Sequence, residues 1–332
     1  MKRSVMLAIS AVLAIAGLAA AQTRPHMDIA RAAAYRPGQD FTWIFDRLCF
    51  EPAPEPAPAP AAQRTGPPPR SVWYDEPAKV FDNLYYFVAK TDSVAGGVAA
   101  YAITTSQGII MYDAGFDYSV EESIDKGLRK FGLDPANIKY IVVSHGHTDH
   151  YGGVRYLQDK YGAHVILSEV DWGLIEKDRT PANLKPKKDM VATDGQKLTL
   201  GDTTVTMYFT PGHTPGTISM LIPLKDGKQR HLGTIWGGNN FGFQYFKDRA
   251  DAFRTYSDAA KRYKEIVSKA GADVFISSHI AQDKIYNKIN ALRFRGPNDP
   301  HPFVSKEAVL NHLTVVGECA SARLAGEKGS TD

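Results

Sequence analysis

The sequence predicts an α/β protein in which two sheets pack face to face with helices on the outside. Two observations lead to this expectation. Short runs of β-branched and aromatic residues, bounded by Gly, Asp and Asn, alternate with longer stretches of helical periodicity. This succession occurs twice, and each half ends in a helix. With 332 residues, of which 43% are hydrophobic and 23% charged, the chain is long enough to bury such a core.

The predicted elements begin with a folded domain that starts near Ser71. In the first half we predict strands and two helices: strands 84–88, 98–104, 109–112, 140–143 and 164–167, helices 119–131 and 153–161. In the second half we predict five strands and one long helix: strands 197–200, 203–209, 217–222, 231–236 and 273–276, helix 251–270. A further amphipathic helix is predicted over 306–324.

The first 21 residues predict a secretory signal peptide. Lys2 and Arg3 form a positive start, residues 5–18 are apolar, and three alanines precede an expected cleavage site before Gln22. The apolar run is shorter than the roughly 20 residues that a membrane-spanning helix needs, which favours cleavage over an uncleaved anchor. We therefore expect a periplasmic or secreted protein.

Residues 22–70 are predicted to form an N-terminal arm and a Pro-rich linker before the domain of residues 71–332. Aromatic and apolar residues within 29–50 predict a short helix or docking arm. Eight of the twenty residues from Glu51 to Arg70 are proline, which favours the extended conformations of a spacer. A ligand for an SH3-type domain is the alternative, and an exported location disfavours it.

Charge and cysteine content exclude several functions. Thirty-nine basic and thirty-six acidic residues give a net charge of +3, so neither nucleic acid nor a membrane surface is an expected partner, and a small-molecule substrate is. The two cysteines, Cys49 and Cys319, are too few for a thiolate zinc module, so any metal must be held by His, Asp or Glu. The sequence leaves open whether these two cysteines pair.

Potential metal ligands are concentrated directly after the strand predicted at 140–143. His145, His147, Asp149 and His150 supply four ligands within six residues, and imidazole combined with carboxylate is a ligand chemistry that suits zinc. The alternative is a polar loop with incidental histidines. Because the chain has only ten histidines, three of them so close to an aspartate favour a metal site.

Two further histidines also follow predicted strands. His213 lies in the turn Thr-Pro-Gly-His-Thr-Pro-Gly, and His279 follows the strand predicted at 273–276 through two serines. Either one alone would more often be a hydrogen-bonded structural residue. Together with the first cluster they supply six ligands, enough for two metal sites. The other histidines are interpreted as surface or structural residues: His26, His164, His231, His301 and His312.

The HxHxDH signature, the turn around His213 and the late His279 together resemble the metallo-β-lactamase superfamily over residues 80–281. The resemblance implies an αββα sandwich of two mixed sheets, with the site at one edge between them. It also implies two zinc ions, the first held by His145, His147 and His213 and the second by Asp149, His150 and His279. A hydroxide bridging the zinc ions would be the nucleophile, and Asp149 would orient it.

One position separates branches of this superfamily. Many of its lactonases, thioesterases and phosphodiesterases have an aspartate that bridges both metals, whereas residues 232–241 contain no carboxylate here. Asn239, the equivalent position, also differs from the cysteine of the first class B lactamase subclass and from the usual serine of the third. A second site without cysteine or bridging aspartate most resembles subclass 3. Asn239 and Asn240 are predicted substrate contacts.

The sequence therefore predicts an exported zinc-dependent hydrolase, most similar to a β-lactamase that opens a cyclic amide. One alternative is a lactonase or other ester hydrolase with the same two zinc ions. Another is a zinc-containing binding protein that has lost catalysis, although the intact ligand set argues against it. Lys185, Lys187 and Lys188 either contact an anionic substrate or form a solvated basic loop, and we favour the loop.

Overall fold

The computed structural model describes residues 22–36, 40–51, 67–91 and 95–328. The predicted signal peptide and residues 52–66 of the Pro-rich segment lie outside the described residues. Among the described residues, the chain folds into two mixed sheets with helices on their outer faces. The predicted αββα sandwich is confirmed.

The first sheet has seven strands, which lie side by side in chain order. They are β1 (Ala78–Phe81), β2 (Leu84–Lys90), β3 (Gly97–Thr105), β4 (Gly108–Tyr112), β5 (Ile138–Val142), β6 (His164–Ser168) and β7 (Met190–Ala192). Strands β1 to β4 are antiparallel, and β4 to β7 are parallel.

The second sheet has five strands in the order β12-β11-β10-β9-β8. They are β8 (Lys197–Leu200), β9 (Thr203–Phe209), β10 (Ile218–Asp226), β11 (Gln229–Ile235) and β12 (Val274–Ile276). Strand β12 is parallel to β11, and the other neighbours are antiparallel. Strands β8 and β9 have the predicted bounds.

Ten α-helices connect or cover these strands in the described part of the chain. They are α1 (22–34), α2 (Thr42–Cys49), α3 (Arg70–Trp73), α4 (Lys126–Lys130), α5 (Thr148–Tyr151), α6 (Val154–Tyr161), α7 (Glu169–Lys177), α8 (Arg249–Ala270), α9 (Ile285–Arg293) and α10 (Lys306–Lys328). A π-helical turn, Glu121–Asp125, leads into α4. None of the described helices is long and apolar enough to cross a membrane.

The alternation of side chains along β2 shows why two layers of helices are needed. Tyr86 and Val88 pack into the core between the two sheets, whereas Tyr85 and Phe87 pack into a second core under the helices of the first sheet. Both faces of the strand are therefore apolar. The second sheet is covered in the same way by α8 and α10.

The N-terminal arm, residues 22–51 where described, packs onto the helices of the second sheet. Ile44, Phe45 and Leu48 of α2 are buried in the same core as residues of α8 and α10. Cys49 forms a disulfide with Cys319 of α10, which answers the question that the sequence leaves open. The arm is thus attached to the domain by apolar packing and by a covalent bond.

The two sheets meet at the edge from which the predicted ligand loops emerge. The amide of Ile218 donates to the carbonyl of Ser144 at 2.7 Å, which joins β10 to the loop after β5. At the neighbouring strands, the amide of Ala99 donates to the carbonyl of Ser278 at 2.9 Å, and His279 forms a β-bridge with Val98. The loops after β5, β9 and β12 therefore lie close together.

Candidate metal centre

The structure brings the six predicted ligand residues into two adjacent triads. The first triad is His145, His147 and His213, and the second triad is Asp149, His150 and His279. Within each triad, one ligand atom from each residue lies within 4.8 Å of the others. The rings of His145 and His150, one from each triad, have centroids only 4.0 Å apart.

The loop after β5 is shaped by a close backbone approach. A Cβ on Gly146 would lie 3.0 Å from the carbonyl oxygen of Asp171, so glycine lets the loop pass against α7. The helix α5 then begins at Thr148 and places Asp149 and His150 in its single turn. The short loop and this turn therefore aim four ligand side chains at one small volume.

The first triad has the spacing of a tetrahedral zinc site. Nε2 of His213 lies 3.1 Å from Nε2 of His145 and 3.1 Å from Nδ1 of His147. Nitrogens at about 2.0–2.1 Å from a tetrahedral zinc ion are about 3.3 Å apart, so both separations suit such a metal. The residues present fit a zinc ion.

The other ring nitrogen of each first-triad histidine has a partner that sets the ring orientation. Nδ1 of His145 is hydrogen-bonded to the hydroxyl of Ser144 at 2.9 Å, and Nε2 of His147 to the hydroxyl of Tyr245 at 2.9 Å. Nδ1 of His213 donates to the carbonyl of Asn240 at 2.9 Å. Such contacts fix the tautomer of a ligating histidine. Sequence reasoning missed Tyr245, because no local motif marks it.

The second triad contains an imidazole nitrogen with no hydrogen-bond partner. Nε2 of His150 is buried and unpartnered among the described residues, and it lies 3.5 Å from Oδ2 of Asp149. The same carboxylate oxygen lies 4.0 Å from Nε2 of His279, whose Nδ1 donates to the carbonyl of Gly97 at 3.0 Å. Buried polar atoms nearly always have a partner, and a cation between these three groups would supply one. This donor set also fits zinc.

Asp113 supports the second triad and was not predicted. This fully buried residue follows β4 and has a φ of 62°, a left-handed conformation that aspartate adopts more readily than most residues. Its carboxylate accepts from Nδ1 of His150 at 2.7 Å and from the amide of Ser144 at 2.7 Å. The rule that found His213, a polar residue directly after a buried strand, applies equally to Asp113.

Burial and charge act in opposite directions on the two triads. Burial, and to a smaller extent the neighbouring His147, lowers the pKa of His213 to about 3. Burial also lowers the pKa values of His145 and His147. Burial alone would lower the pKa of His150, but the carboxylates of Asp149 and Asp113 outweigh it and raise that pKa. The first-triad imidazoles are therefore neutral and able to bind metal at neutral pH.

The charge of the second triad resides on Asp149. Burial alone would raise the pKa of Asp149, but the neighbouring His150 and His279 outweigh it and lower that pKa. Burial, followed by the nearby His150, lowers the pKa of His279 itself to about 4. This triad thus combines a carboxylate with two imidazoles.

Asp171 joins the two ligand loops and was also not predicted. Its carboxylate accepts from the amide of Gly146 at 2.8 Å, from the hydroxyl of Thr214 at 2.7 Å and from the amide of Gly216 at 3.0 Å. Burial raises the pKa of this carboxyl, although these hydrogen bonds act against the rise. One side chain of α7 therefore fixes the loop of His145 relative to the loop of His213.

The two predicted substrate contacts have different surroundings. Asn239 is 4% exposed, and neither polar atom of its carboxamide has a partner among the described residues. The side-chain oxygen of Asn240 accepts from Nε of Arg47 at 2.8 Å, and its carbonyl supports His213. Contact of either residue with a substrate stays a prediction.

The side chains assigned to other roles have partners of their own. Lys185, Lys187 and Lys188 pair with Asp178, Asp159 and Glu169, which agrees with a basic surface loop. The five histidines outside the triads contact other parts of the fold. His26 is hydrogen-bonded to Glu318, His164 to Asp189, and His231 to Asp273. His301 is hydrogen-bonded to the carbonyl of Val80, and the ring of His312 stacks on the ring of Phe275. In the described part of the chain, Asp149 is the sole carboxylate that belongs to either triad.

Comparison with known proteins confirms the resemblance stated from the motifs. The sequence model of the metallo-β-lactamase superfamily matches residues 94–227, a stretch that contains five of the six ligand residues and excludes His279. The N-acyl homoserine lactonase AttM of Agrobacterium fabrum is 37% identical over 112 residues, which cover 30% of this chain and 42% of that relative. The chain thus spans less than half the length of that relative.

Solved structures match over much more of the chain. BJP-1, a subclass B3 metallo-β-lactamase of Bradyrhizobium japonicum, is 27% identical with a TM-score of 0.62, covering 79% of this chain and 98% of that one. The FEZ-1 metallo-β-lactamase of Legionella gormanii has a TM-score of 0.65 at 23% identity, covering 78% of this chain and 98% of its own. Over 79% of its length, the chain is therefore similar in fold to a subclass B3 metallo-β-lactamase.

Proposed function

From this resemblance to the metallo-β-lactamase superfamily, we propose that the protein is a zinc-dependent hydrolase of subclass B3 type that opens the cyclic amide of β-lactams. The observation that carries the proposal is the composition of the second triad. It is complete with Asp149, His150 and His279, and the loop after β11 adds neither a cysteine nor a bridging carboxylate. The similarity to BJP-1 over 79% of the chain supports the same choice.

The side chains of the two triads divide the work of hydrolysis. Zinc ions bound there would polarise the substrate carbonyl and lower the pKa of bound water towards 7. Asp149 is ionised, so its carboxylate can accept a proton from the attacking water and pass it to the departing nitrogen. The overall reaction adds hydroxyl to the carbonyl carbon and hydrogen to the nitrogen as the C–N bond breaks.

The exposure of the ligands indicates from which side a substrate would approach. The side chains of Asp149 and His279 are 29% and 14% exposed, whereas that of His150 is 1% exposed. The proton-accepting carboxylate is thus open to solvent, and the histidine behind it is closed off. A small amide that enters over Asp149 meets the proton acceptor first.

A lactonase is the second candidate, because the 37% identity to AttM is higher than the identity to either structural neighbour. Both reactions need the same carbonyl activation and differ in the leaving atom, oxygen or nitrogen. The two are separated by measuring hydrolysis of a carbapenem, a cephalosporin and an acyl homoserine lactone by the zinc-loaded protein. We expect kcat/KM above about 10⁴ M⁻¹ s⁻¹ for a β-lactam, the lower end of ordinary enzymes, and a smaller value for the lactone.

The same panel includes outcomes that contradict the proposal. If the lactone were hydrolysed faster than either β-lactam, the proposed substrate would be wrong, whereas the proposed mechanism would still apply. If no compound were hydrolysed at maximum zinc content, the result would favour the alternative of a zinc-containing binding protein that has lost catalysis. A metal-free sample treated with a chelator serves as the control for spontaneous ring opening.

The metal content tests the two triads separately from the substrate. We expect about two zinc ions per chain, because the six ligands are of His and Asp type without a competing thiolate. Elemental analysis of the protein after dialysis against zinc measures this number. A value of one or less at saturation would remove His150 and His279 from the site.

We also propose that the protein works outside the cytoplasm, after removal of residues 1–21. The disulfide between Cys49 and Cys319 supports this location, since disulfides persist mainly in oxidising compartments. N-terminal sequencing of protein from a periplasmic fraction should begin at Gln22. Recovery of the intact chain from the cytoplasm alone would contradict the proposal.

A further inference from the structure

The N-terminal arm contacts a backbone segment that supports the first triad. Nε of Arg47, in α2, donates to the side-chain oxygen of Asn240 at 2.8 Å. The carbonyl of the same Asn240 accepts from Nδ1 of His213 at 2.9 Å. Arg47, which is 193 positions from Asn240 in sequence, is thus two hydrogen bonds from a predicted zinc ligand.

Arg47 is held in place by its own helix. Its neighbours Ile44 and Leu48 are buried, and Cys49 is bonded to Cys319 of α10. The backbone of α2 is therefore anchored on both sides of the arginine. Because the backbone is already fixed, only the side chain of Arg47 has to be ordered when it binds its acceptor, so the contact can hold the loop of Asn240 rather than follow it.

The loop of residues 236–242 leaves no room between itself and His213. A Cβ on Gly238 would overlap the Cβ of His213, and a Cβ on Gly242 would overlap its carbonyl oxygen. The amide of Gly242 also donates to the carbonyl of Gly212 at 2.9 Å. Because the two backbones touch, a displacement of this loop towards His213 also displaces the histidine.

We propose that Arg47 is a positioning residue for His213 and acts through Asn240. The N-terminal arm thereby helps to orient a ligand of the metal centre. The proposal rests on the proposed function in one respect, that His213 binds zinc. The hydrogen bond from Nδ1 to the Asn240 carbonyl leaves the lone pair on Nε2, the nitrogen that faces His145 and His147. By holding Asn240, Arg47 keeps this carbonyl in place.

The first test measures zinc affinity, which requires no substrate. Arg47→Ala should weaken binding of one of the two zinc ions by about 10-fold in competition with a chromophoric chelator, the lower end for loss of an outer contact. Arg47→Lys, which keeps a charged donor, should recover most of the affinity. Asp46→Ala, at the exposed neighbouring position of the same helix, should bind zinc as the wild type does.

The partner variant tests the route of the effect. Asn240→Ala removes the side-chain oxygen that accepts from Arg47 and leaves the arm unchanged. It should therefore lose the same zinc affinity as Arg47→Ala, and this loss cannot be caused by a loosened arm. The double variant should lose no more than either single variant, because both changes break one contact. Independent, additive losses would contradict a shared route, and unchanged affinity in Arg47→Ala would overturn the proposal.

A second measurement separates this proposal from the proposed function. In metal-free protein with ¹⁵N-labelled histidine, His213 should be the Nδ1-protonated tautomer in the wild type and a mixture in Arg47→Ala, its signals being assigned through His213→Ala. Identical tautomers in both proteins would overturn the positioning role. Failure to hydrolyse any compound, with the tautomer and affinity differences present, would overturn the function alone.

Discussion

The two triads differ in where their charge lies. The first triad consists of three imidazoles whose outer nitrogens meet uncharged groups: two hydroxyls, of Ser144 and Tyr245, and the carbonyl of Asn240. The second triad includes the carboxylate of Asp149, and a further carboxylate, Asp113, supports its His150. One site thus presents lone pairs alone, and the other presents negative charge as well.

This difference has consequences for how each site holds a cation. The neutral triad depends on geometry, because without a compensating charge its nitrogens must converge at metal distance before the metal arrives. The charged triad attracts a cation electrostatically, but the same carboxylates favour a proton on His150. We therefore expect the first site to respond mainly to changes in position and the second to changes in charge and pH.

The largest effect is expected for His213→Ala, which removes one of three ligands from the geometry-dependent site. The first zinc ion should be lost, and kcat should fall about 10⁴-fold or more, since Lewis-acid stabilisation contributes several kcal/mol and each 1.36 kcal/mol is one decade. Zinc content and hydrolysis of the substrate identified by the panel measure the two effects.

The matched control is His164→Ala. His164 is 60% exposed and pairs with Asp189 on the surface, so its removal should leave zinc content and rate almost unchanged. Equal losses in the two variants would mean that position at a strand end is not a sound criterion for choosing ligands.

Asp149→Asn should have the next largest effect, on kcat rather than on the first zinc. The amide keeps the shape and one oxygen but loses the charge and the ability to accept a proton. Loss of a positioned acid or base typically costs about 10² to 10⁴ in rate. We expect a fall of that order with part of the second zinc retained, whereas wild-type kcat with two zinc ions would make Asp149 a structural neighbour.

Asp113→Asn isolates the charge behind the second triad. The second zinc should bind about 10- to 100-fold more weakly, as is typical for loss of an outer carboxylate, and the first should be unaffected. Asp273→Asn is the matched control, because Asp273 accepts from Nδ1 of His231 at 2.6 Å, outside both triads. Equal weakening of both zinc ions in Asp113→Asn would contradict the separation of the two sites.

The long strands and the ligands could be predicted from sequence because their signals are local. Strand β9 has seven residues and β8 has four, and more buried side chains alternate with less buried ones along both strands. Strands β1 and β7, with four and three residues, lack this alternation, so no periodic pattern marks them. Each ligand follows a predicted strand within a compact motif. His279 lies outside the residues matched by the superfamily model, yet strand-end placement found it.

The supporting residues could not be predicted in the same way, because tertiary packing brings them to the site. Asp171 resembles any acidic residue in the first turn of a helix until α7 packs against both ligand loops. Arg47 reaches Asn240 because the arm packs onto the helices of the second sheet, and nothing near either residue in sequence indicates the other. Both cases depend on contacts between distant segments.

The smallest effect distinguishes the triads by pH. His150 has a pKa raised above its ordinary value of 6.5. When the pH falls through this raised pKa, the imidazole gains a proton, which must leave before zinc binds. The first-triad histidines have lowered pKa values, about 3 for His213, so they gain protons at lower pH than His150 does. As the pH falls from about 8 to about 5 at constant free zinc, the second zinc should therefore be released before the first.

Calorimetric titration of zinc at about pH 6.5, in buffers that differ in ionisation enthalpy, counts the protons released by each zinc ion. Binding at the second site should release more protons than binding at the first. Only at the second site do neighbouring carboxylates raise the pKa of a ligand, His150, so that it is protonated before zinc binds. Asp113→Asn should reduce this release, since one of the two carboxylates that raise the pKa of His150 loses its charge. Equal proton release at both sites in the wild type would mean that bound zinc removes the electrostatic difference between the triads.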